Sequence, residues 1–146
     1  MSIRRHSDLI ITKDQIMEYT FKPRFNDTDA LGHINNASIA TWFEEGRRSI
    51  FEYFTPDLDP KKWNLIIARL EIDYLAQGHY QKSVTVKTAV EKIGNSSFVL
   101  VQEAFQENTI ISRGKSFLVC FDYAKQKSTP IPEPIKEKLK THLIST

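Results

Sequence analysis

The chain of 146 residues carries a formal net charge of +2, with 40% hydrophobic residues, 26% charged residues and a single cysteine. This is globular composition, which excludes a disordered, fibrous or disulfide-stapled chain, and the length suits one domain spanning 1–146. So small a charge excess marks no nucleic-acid surface, and no apolar run approaches the ~20 residues of a membrane span; neither nucleic acid nor membrane is expected as a partner.

The opening MSIRRHSDLIITKDQ lacks the apolar stretch of a secretory signal, which together with the lone cysteine favours the cytoplasm. Residues 18-EYTFKPRF-25 alternate, with Tyr19, Phe21, Pro23 and Phe25 on one face. Pro23 has no N–H for a ladder, so the segment reads as an edge strand or a strand end.

From Ala37 the apolar spacing changes to the helical period. Ile39, Trp42, Phe43, Gly46, Ile50 and Phe54 share a stripe, whereas Glu44, Glu45, Arg47, Arg48 and Glu52 mostly fall elsewhere. A helix of about five turns is expected, capped by Asn35 or Asn36 and ended by Pro56.

Beyond 55-TPDLDPKK-62 the period returns to two. Ile66, Ala68, Leu70, Ile72 and Tyr74 fall on one face, with Leu65, Ile67, Arg69, Glu71 and Asp73 on the other. Three more strands follow at 82–93, 96–106 and 110–123, separated by gaps short enough for hairpins, so they should form an antiparallel meander. Residues 134–143 begin with proline and read as a short terminal helix. The outward apolar residues Val99, Val101 and Phe105 call for a cover and point to self-association. Cys120, inside 117-FLVCF-121, reads as a core residue.

The polar residues of 25-FNDTDALGHINN-36 gather at the start of the long helix. A helix N-terminus presents unpaired amides and the positive end of the macrodipole, which stabilise a developing oxyanion. A nearby carboxylate would add a base or nucleophile, a combination that suits attack on a carbonyl. Asp27 and Asp29 lie two residues apart and in an extended segment would point the same way, raising one pKa. An Asx-turn or cap competes as the role of each; Gly32 suits a turn or close backbone approach, and His33 suits a base or a hydrogen-bonded structural group. His79, in 77-QGHY-80, reads as a turn. No histidines share a metal-ligand spacing with a carboxylate, and there is no phosphate-loop or nucleophile-elbow motif, so neither metal nor cofactor is expected.

The run from Phe25 to Asn36, followed by Trp42-Phe43-Glu44-Glu45-Gly46-Arg47, resembles the helix-start motif of hotdog-fold acyl thioesterases, in particular the 4-hydroxybenzoyl-CoA thioesterase-like branch. Segments 71–86, 91–104 and 117–132 are similar to later strands of that family, and the likeness extends over about 17–134. It implies an α+β hotdog, with a long central helix wrapped by a five- or six-stranded antiparallel sheet, a short C-terminal helix, and homodimers or homotetramers. The implied activity is hydrolysis of acyl-CoA.

By position, Asp29 matches the family's catalytic carboxylate, and Asn36 the residue whose backbone N–H polarises the thioester carbonyl; some members have a histidine there instead. His33 has a counterpart in acyl-carrier-protein thioesterases of similar fold, which makes a carrier-protein thioester the alternative substrate. Gly32 and Asn35 are implied to shape the substrate site, and Lys82, Lys92, Ser96 and Ser97, with Arg113 and Lys115, to meet the pantetheine or nucleotide phosphates. A non-catalytic acyl-CoA-binding hotdog is the reading from another class. A hydratase fits less well, since its Asp and His are spaced differently from Asp29 and His33.

Overall fold

In the computed structural model, which describes residues 15–29 and 31–144, the chain runs β1 (Met17–Phe21), α1 (Asn36–Gly46), α2 (Arg48–Phe54), β2 (Leu65–Tyr74), β3 (Val84–Ile93), β4 (Ser97–Gln106), β5 (Thr109–Asp122), β6 (Lys127–Ser128) and α3 (Glu133–Lys140). Strands β1-β3-β4-β5-β2 form one antiparallel sheet in that order, and β6 adds to β5. The β3–β4–β5 meander agrees with the sequence reading, and the strand count lies within the five or six that the resemblance implied, the two-residue β6 being one that the periodicity does not reveal.

The helices lie on one face of this sheet because their apolar stripe needs a cover. Trp42 and Phe43 of α1 pack with Val84, Val86, Ala104 and Ile111 at one end. At the other, Ile50 and Phe54 of α2 pack with Phe98, Leu118 and Cys120, closed by Leu139 of α3. Cys120 is thus a core residue, as expected. Two glycines set how closely helix and sheet approach. A Cβ at Gly46 would stand 2.5 Å from Val86 Cγ1, and one at Gly114 would stand 2.7 Å from both the Glu71 carbonyl oxygen and Phe43 Cε2.

Several elements depart from the sequence reading. The first strand ends at Phe21 instead of 25: Pro23 stops the ladder, Phe25–Asp27 coils into a 3-10 turn, and Phe25 is left exposed. The expected single helix is two. Arg47, at φ −88° and ψ 0°, ends α1 and begins α2, and its side chain turns inward, being only 3% exposed instead of joining the solvent side. In β2 a bulge between Ile67 and Arg69 inserts one residue against β5 and shifts the phase of alternation. Leu65 and Ile72, assigned to opposite faces by strict alternation, therefore both pack into the core. The terminal helix stops at Lys140, three residues early.

The outer face is partly covered by the chain itself. Val101 packs with Ala89 and Ile144, held where Val90 N–H donates to the His142 carbonyl and Ile144 N–H donates to the Val90 carbonyl, both at 2.9 Å. Lys87 Nζ sits 4.7 Å above the Phe105 ring. The opening segment 1–14 lies outside the described residues.

Candidate active site

The segment between β1 and α1 folds around two aspartates with opposite surroundings. Asp27 is buried in the 3-10 turn, where its Oδ2 accepts the Arg24 N–H at 2.8 Å and the Trp42 indole N–H at 3.2 Å. Its carbonyl accepts the Asn35 N–H at 2.7 Å, tying the turn to the helix start. Burial pushes its carboxyl up, but the hydrogen bonds from Arg24, Trp42 and Ser38 and the Arg24 charge outweigh this and hold it below the usual carboxylate range. The expected like-charge pair with Asp29 is therefore not formed: the 3-10 turn replaces the extended backbone that would have aligned the two.

Asp29 is exposed and organises a closed loop. Its Oδ1 accepts the backbone N–H groups of Leu31 at 2.8 Å and His33 at 3.1 Å, while its own N–H donates to the His33 carbonyl at 2.7 Å. Gly32 supplies the positive φ, +80°, that closes this loop. One carboxylate oxygen is thus fixed by main-chain donors. The other is unengaged by any hydrogen bond or ion pair among the described residues.

Asn35 is the N-cap, resolving the choice between two asparagines. Its Oδ1 accepts the Ala37 N–H at 2.9 Å, and its carbonyl accepts the Ser38 N–H at 3.0 Å. Of the first-turn amides of α1, only Asn36 N–H is left without an acceptor among the described residues. Asn36 lines a pocket of about 260 Å³ with Ile34, Ile39, Tyr74, Gly78 and Ile111, and the Tyr74 hydroxyl donates to the Asn36 carbonyl at 3.2 Å.

The far wall of this pocket comes from the loop after β2. Ile34 N–H donates to the Gly78 carbonyl at 3.4 Å, His33 and His79 form an isolated bridge, and a Cβ on Gly78 would meet Ile34 Cγ1 at 3.0 Å. Gln106 pins the loop: its Oε1 accepts the His79 N–H at 2.8 Å, and its amide nitrogen donates to the carbonyls of His79 at 2.7 Å and Lys82 at 2.9 Å. Neither Gly78 nor Gln106 was singled out in the sequence. Only the turn composition of 77-QGHY-80 hinted at the loop, and nothing in the sequence linked it to the end of β4.

Asp29, Gly32, His33, Asn35 and Asn36 therefore converge in one loop and helix start. Lys82 adjoins them through the pinned loop, and its Nζ lies 3.7 Å from Glu107. Lys92, Ser96 and Ser97 do not join them within the protomer. Ser97 begins β4 and Gln106 ends it, nine residues apart, which is about 30 Å of extended chain. Among the described residues no three His, Cys, Asp or Glu side chains could hold a metal, and no helix is long and apolar enough to cross a membrane.

The family model of the thioesterase-like superfamily matches residues 23–139. A predicted thioesterase from Bacillus stearothermophilus is 41% identical with a TM-score of 0.86, covering 88% of this chain and 96% of that one. A thioesterase from Thermus thermophilus, solved in complex with coenzyme A and Zn, is 28% identical with a TM-score of 0.76, covering 84% and 96%. The acyl-CoA thioester hydrolase YbgC of Escherichia coli O6:H1 is 23% identical over 120 residues, 80% of this chain and 90% of that protein. The fold is the hotdog that the sequence resemblance implied.

Proposed function

The chain belongs to the thioesterase-like superfamily, and from that premise we propose that it hydrolyses acyl-CoA thioesters to the free acid and CoA. The observation that carries this reading is Asn36 at the start of α1, whose N–H has no acceptor among the described residues and which lines a pocket one loop away from the Asp29 carboxylate. The names of the relatives supply the substrate class: one is an acyl-CoA thioester hydrolase, and another was solved with coenzyme A.

In the proposed reaction, the acyl carbonyl oxygen points at the Asn36 N–H. Asp29 takes a proton from water as the water oxygen attacks the carbonyl carbon. The resulting oxyanion is held by the amide and the positive end of the helix. Collapse breaks the C–S bond, and the CoA thiolate leaves with the proton. Direct attack by Asp29 through a mixed anhydride would need the same two groups. Asn35 and Gly32 set the geometry, and His33 contributes through its main chain. Lys82 is close enough to the loop to meet the phosphates of CoA. Lys92, Ser96 and Ser97 would serve CoA only across a subunit boundary.

We assign that boundary to β2, the edge strand opposite β1, where Ile67 and Tyr74 are exposed. Antiparallel pairing of two β2 edges would make a homodimer. The free thiol of Cys120 suits the cytoplasm.

Asp29→Asn tests the reading. Thiol release from an acyl-CoA panel should fall by about 10²–10⁴-fold. The melting temperature should stay near that of the wild type, because the retained Oδ1 still accepts the two loop amides. Full residual activity in a folded variant would remove Asp29 from the mechanism.

A further inference from the structure

Residues 75–83, which join β2 to β3, form neither helix nor strand, yet they supply a wall of the pocket at Asn36. Their first residues are tied to β5, where the Leu75 and Ala76 N–H groups donate to the Ile111 carbonyl at 3.0 and 3.2 Å. Near their end, Lys82 Nζ lies 3.7 Å from Glu107 in solvent, where such pairs contribute little. The firm tie is Gln106, only 3% exposed at the last position of β4.

Three short segments lie side by side here as a miniature sheet. Thr28 is bridged to Ile34 and His33 to His79, both antiparallel, so 33–35 runs between 27–29 and 78–80. Ile34 N–H reaches the Gly78 carbonyl at 3.4 Å, a long bond that needs support. His79 gives both its main-chain groups to Gln106, its N–H donating to Oε1 at 2.8 Å and its carbonyl accepting from Nε2 at 2.7 Å. A carboxamide offers an acceptor and a donor side by side as a neighbouring strand does, so this side chain takes the place of a fourth strand. The second hydrogen of Nε2 goes to the Lys82 carbonyl at 2.9 Å.

The middle segment carries both groups of the proposed reaction. Asp29 is locked to its start, where Oδ1 accepts the His33 N–H and the Asp29 N–H donates to the His33 carbonyl. Asn36 follows its end as the first residue of α1. We propose that Gln106 is a positioning residue for the reaction. By holding 78–79 against 33–35 it sets the far wall of the pocket, and so where a bound carbonyl lies relative to the Asn36 N–H and the Asp29 carboxylate. Gln106 touches neither substrate nor reacting atoms. The role in hydrolysis rests on the thioesterase reading, whereas the placement of the wall rests on the hydrogen bonds alone.

The test compares Gln106→Glu with the wild type by thiol release from acyl-CoA. Glutamate keeps the length and an acceptor for the His79 N–H. Ionised, it has no hydrogen to give and sets a charge against the carbonyls of His79 and Lys82; protonated, it restores one donor. Burial and those carbonyls raise the introduced carboxyl's pKa, so activity is followed from about pH 5 to about pH 8. As a ratio to the wild type at the same pH, kcat should be highest at acid pH and fall towards about 10²-fold below at alkaline pH, the cost of a small misplacement. The ratio cancels the titrations that both proteins share, those of His33, His79 and the Lys82–Glu107 pair. Because the groups misplaced act on the transition state, kcat/KM should fall alongside kcat.

Gln106→Met, of similar length but without hydrogen-bonding capacity for three main-chain groups, is the second arm and should lose kcat equally at every pH. Melting curves establish that each variant is folded. In the absence of substrate, the ¹⁵N amide signals of Ile34, Asn36 and Gly78 should move in both variants, while those of Phe98 and Leu100, at the other end of the core, stay still. A folded variant with wild-type kcat, or a Gln106→Glu ratio that is the same at every pH, would overturn the proposal. Should the wild type release no thiol, the thioesterase reading fails instead. The three amide signals then decide the placement by themselves: movement upholds it and stillness overturns it.

Discussion

The indole Nε1–H of Trp42 donates to Asp27 Oδ2 at 3.2 Å, joining the second turn of α1 to the 3-10 turn that precedes the Asp29 loop. Since the Asp27 backbone carbonyl also receives the Asn35 N–H, this one buried residue fixes, through its side chain and its main chain, where the helix begins relative to the loop.

Asp27 should consequently govern acid stability. Its folded pKa is depressed, so the stabilisation it gives is fully present above its unfolded value of about 4 and is lost as pH falls through the lower folded value. Asp27→Asn keeps one oxygen for the Arg24 and Trp42 donors but loses the charge, so it should cost about 1 kcal/mol at pH 7, the difference between hydrogen bonds to a charged and to a neutral acceptor. It should also flatten the fall in melting temperature below pH 4. Melting curves of wild type and variant from pH 7 to pH 2.5 measure both effects; parallel curves would show that Asp27 is not the acid-sensitive group.

Gly114 offers a test of the packing that seats α1. A methyl group there would press on the Glu71 backbone oxygen and the Phe43 ring, both 2.7 Å away, and a backbone atom cannot swing aside as a side-chain tip can. Gly114→Ala should destabilise the fold by about 1–3 kcal/mol, the usual range for overpacking. Urea denaturation with an unchanged slope would report this directly.

How far the sequence reveals these features depends on their range. The helix stripe Ile39, Trp42, Phe43, Gly46, Ile50 and Phe54 is legible because burial follows a local period, and all six are buried. The N-cap and the Pro56 stop are equally local. The inward turn of Arg47 is not legible, since it depends on Gln102 and Ser116, which lie 55 and 69 residues away. The bulge at β2 is hidden for the same reason: alternation within one strand carries no record of the register against β5. Around the candidate site, Asp29, Gly32, Asn35 and Asn36 are adjacent in sequence and so legible as one cluster, whereas Gly78 and Gln106 reach the helix start only through tertiary pairing.

The edge strand β2 is the predicted meeting point of two protomers. Ile67 is 43% exposed there, and a lysine on an edge strand opposes pairing. Ile67→Lys should turn the proposed dimer into a folded monomer, measured by light scattering of the eluting species. If the assembly survives unchanged, it joins elsewhere.

Deleting the single amide on which the proposed chemistry turns is the most direct test. Asn36 is the first residue of α1, where proline is tolerated because the N–H it removes has no helical partner. Asn35, at φ −67° and ψ +133°, already has the extended conformation required before a proline. Asn36→Pro should therefore keep the wild-type circular dichroism spectrum while acyl-CoA hydrolysis falls by about 10²–10³-fold, the loss typical of removing one oxyanion donor. A folded Asn36→Pro protein that hydrolyses acyl-CoA at the wild-type rate would contradict the account.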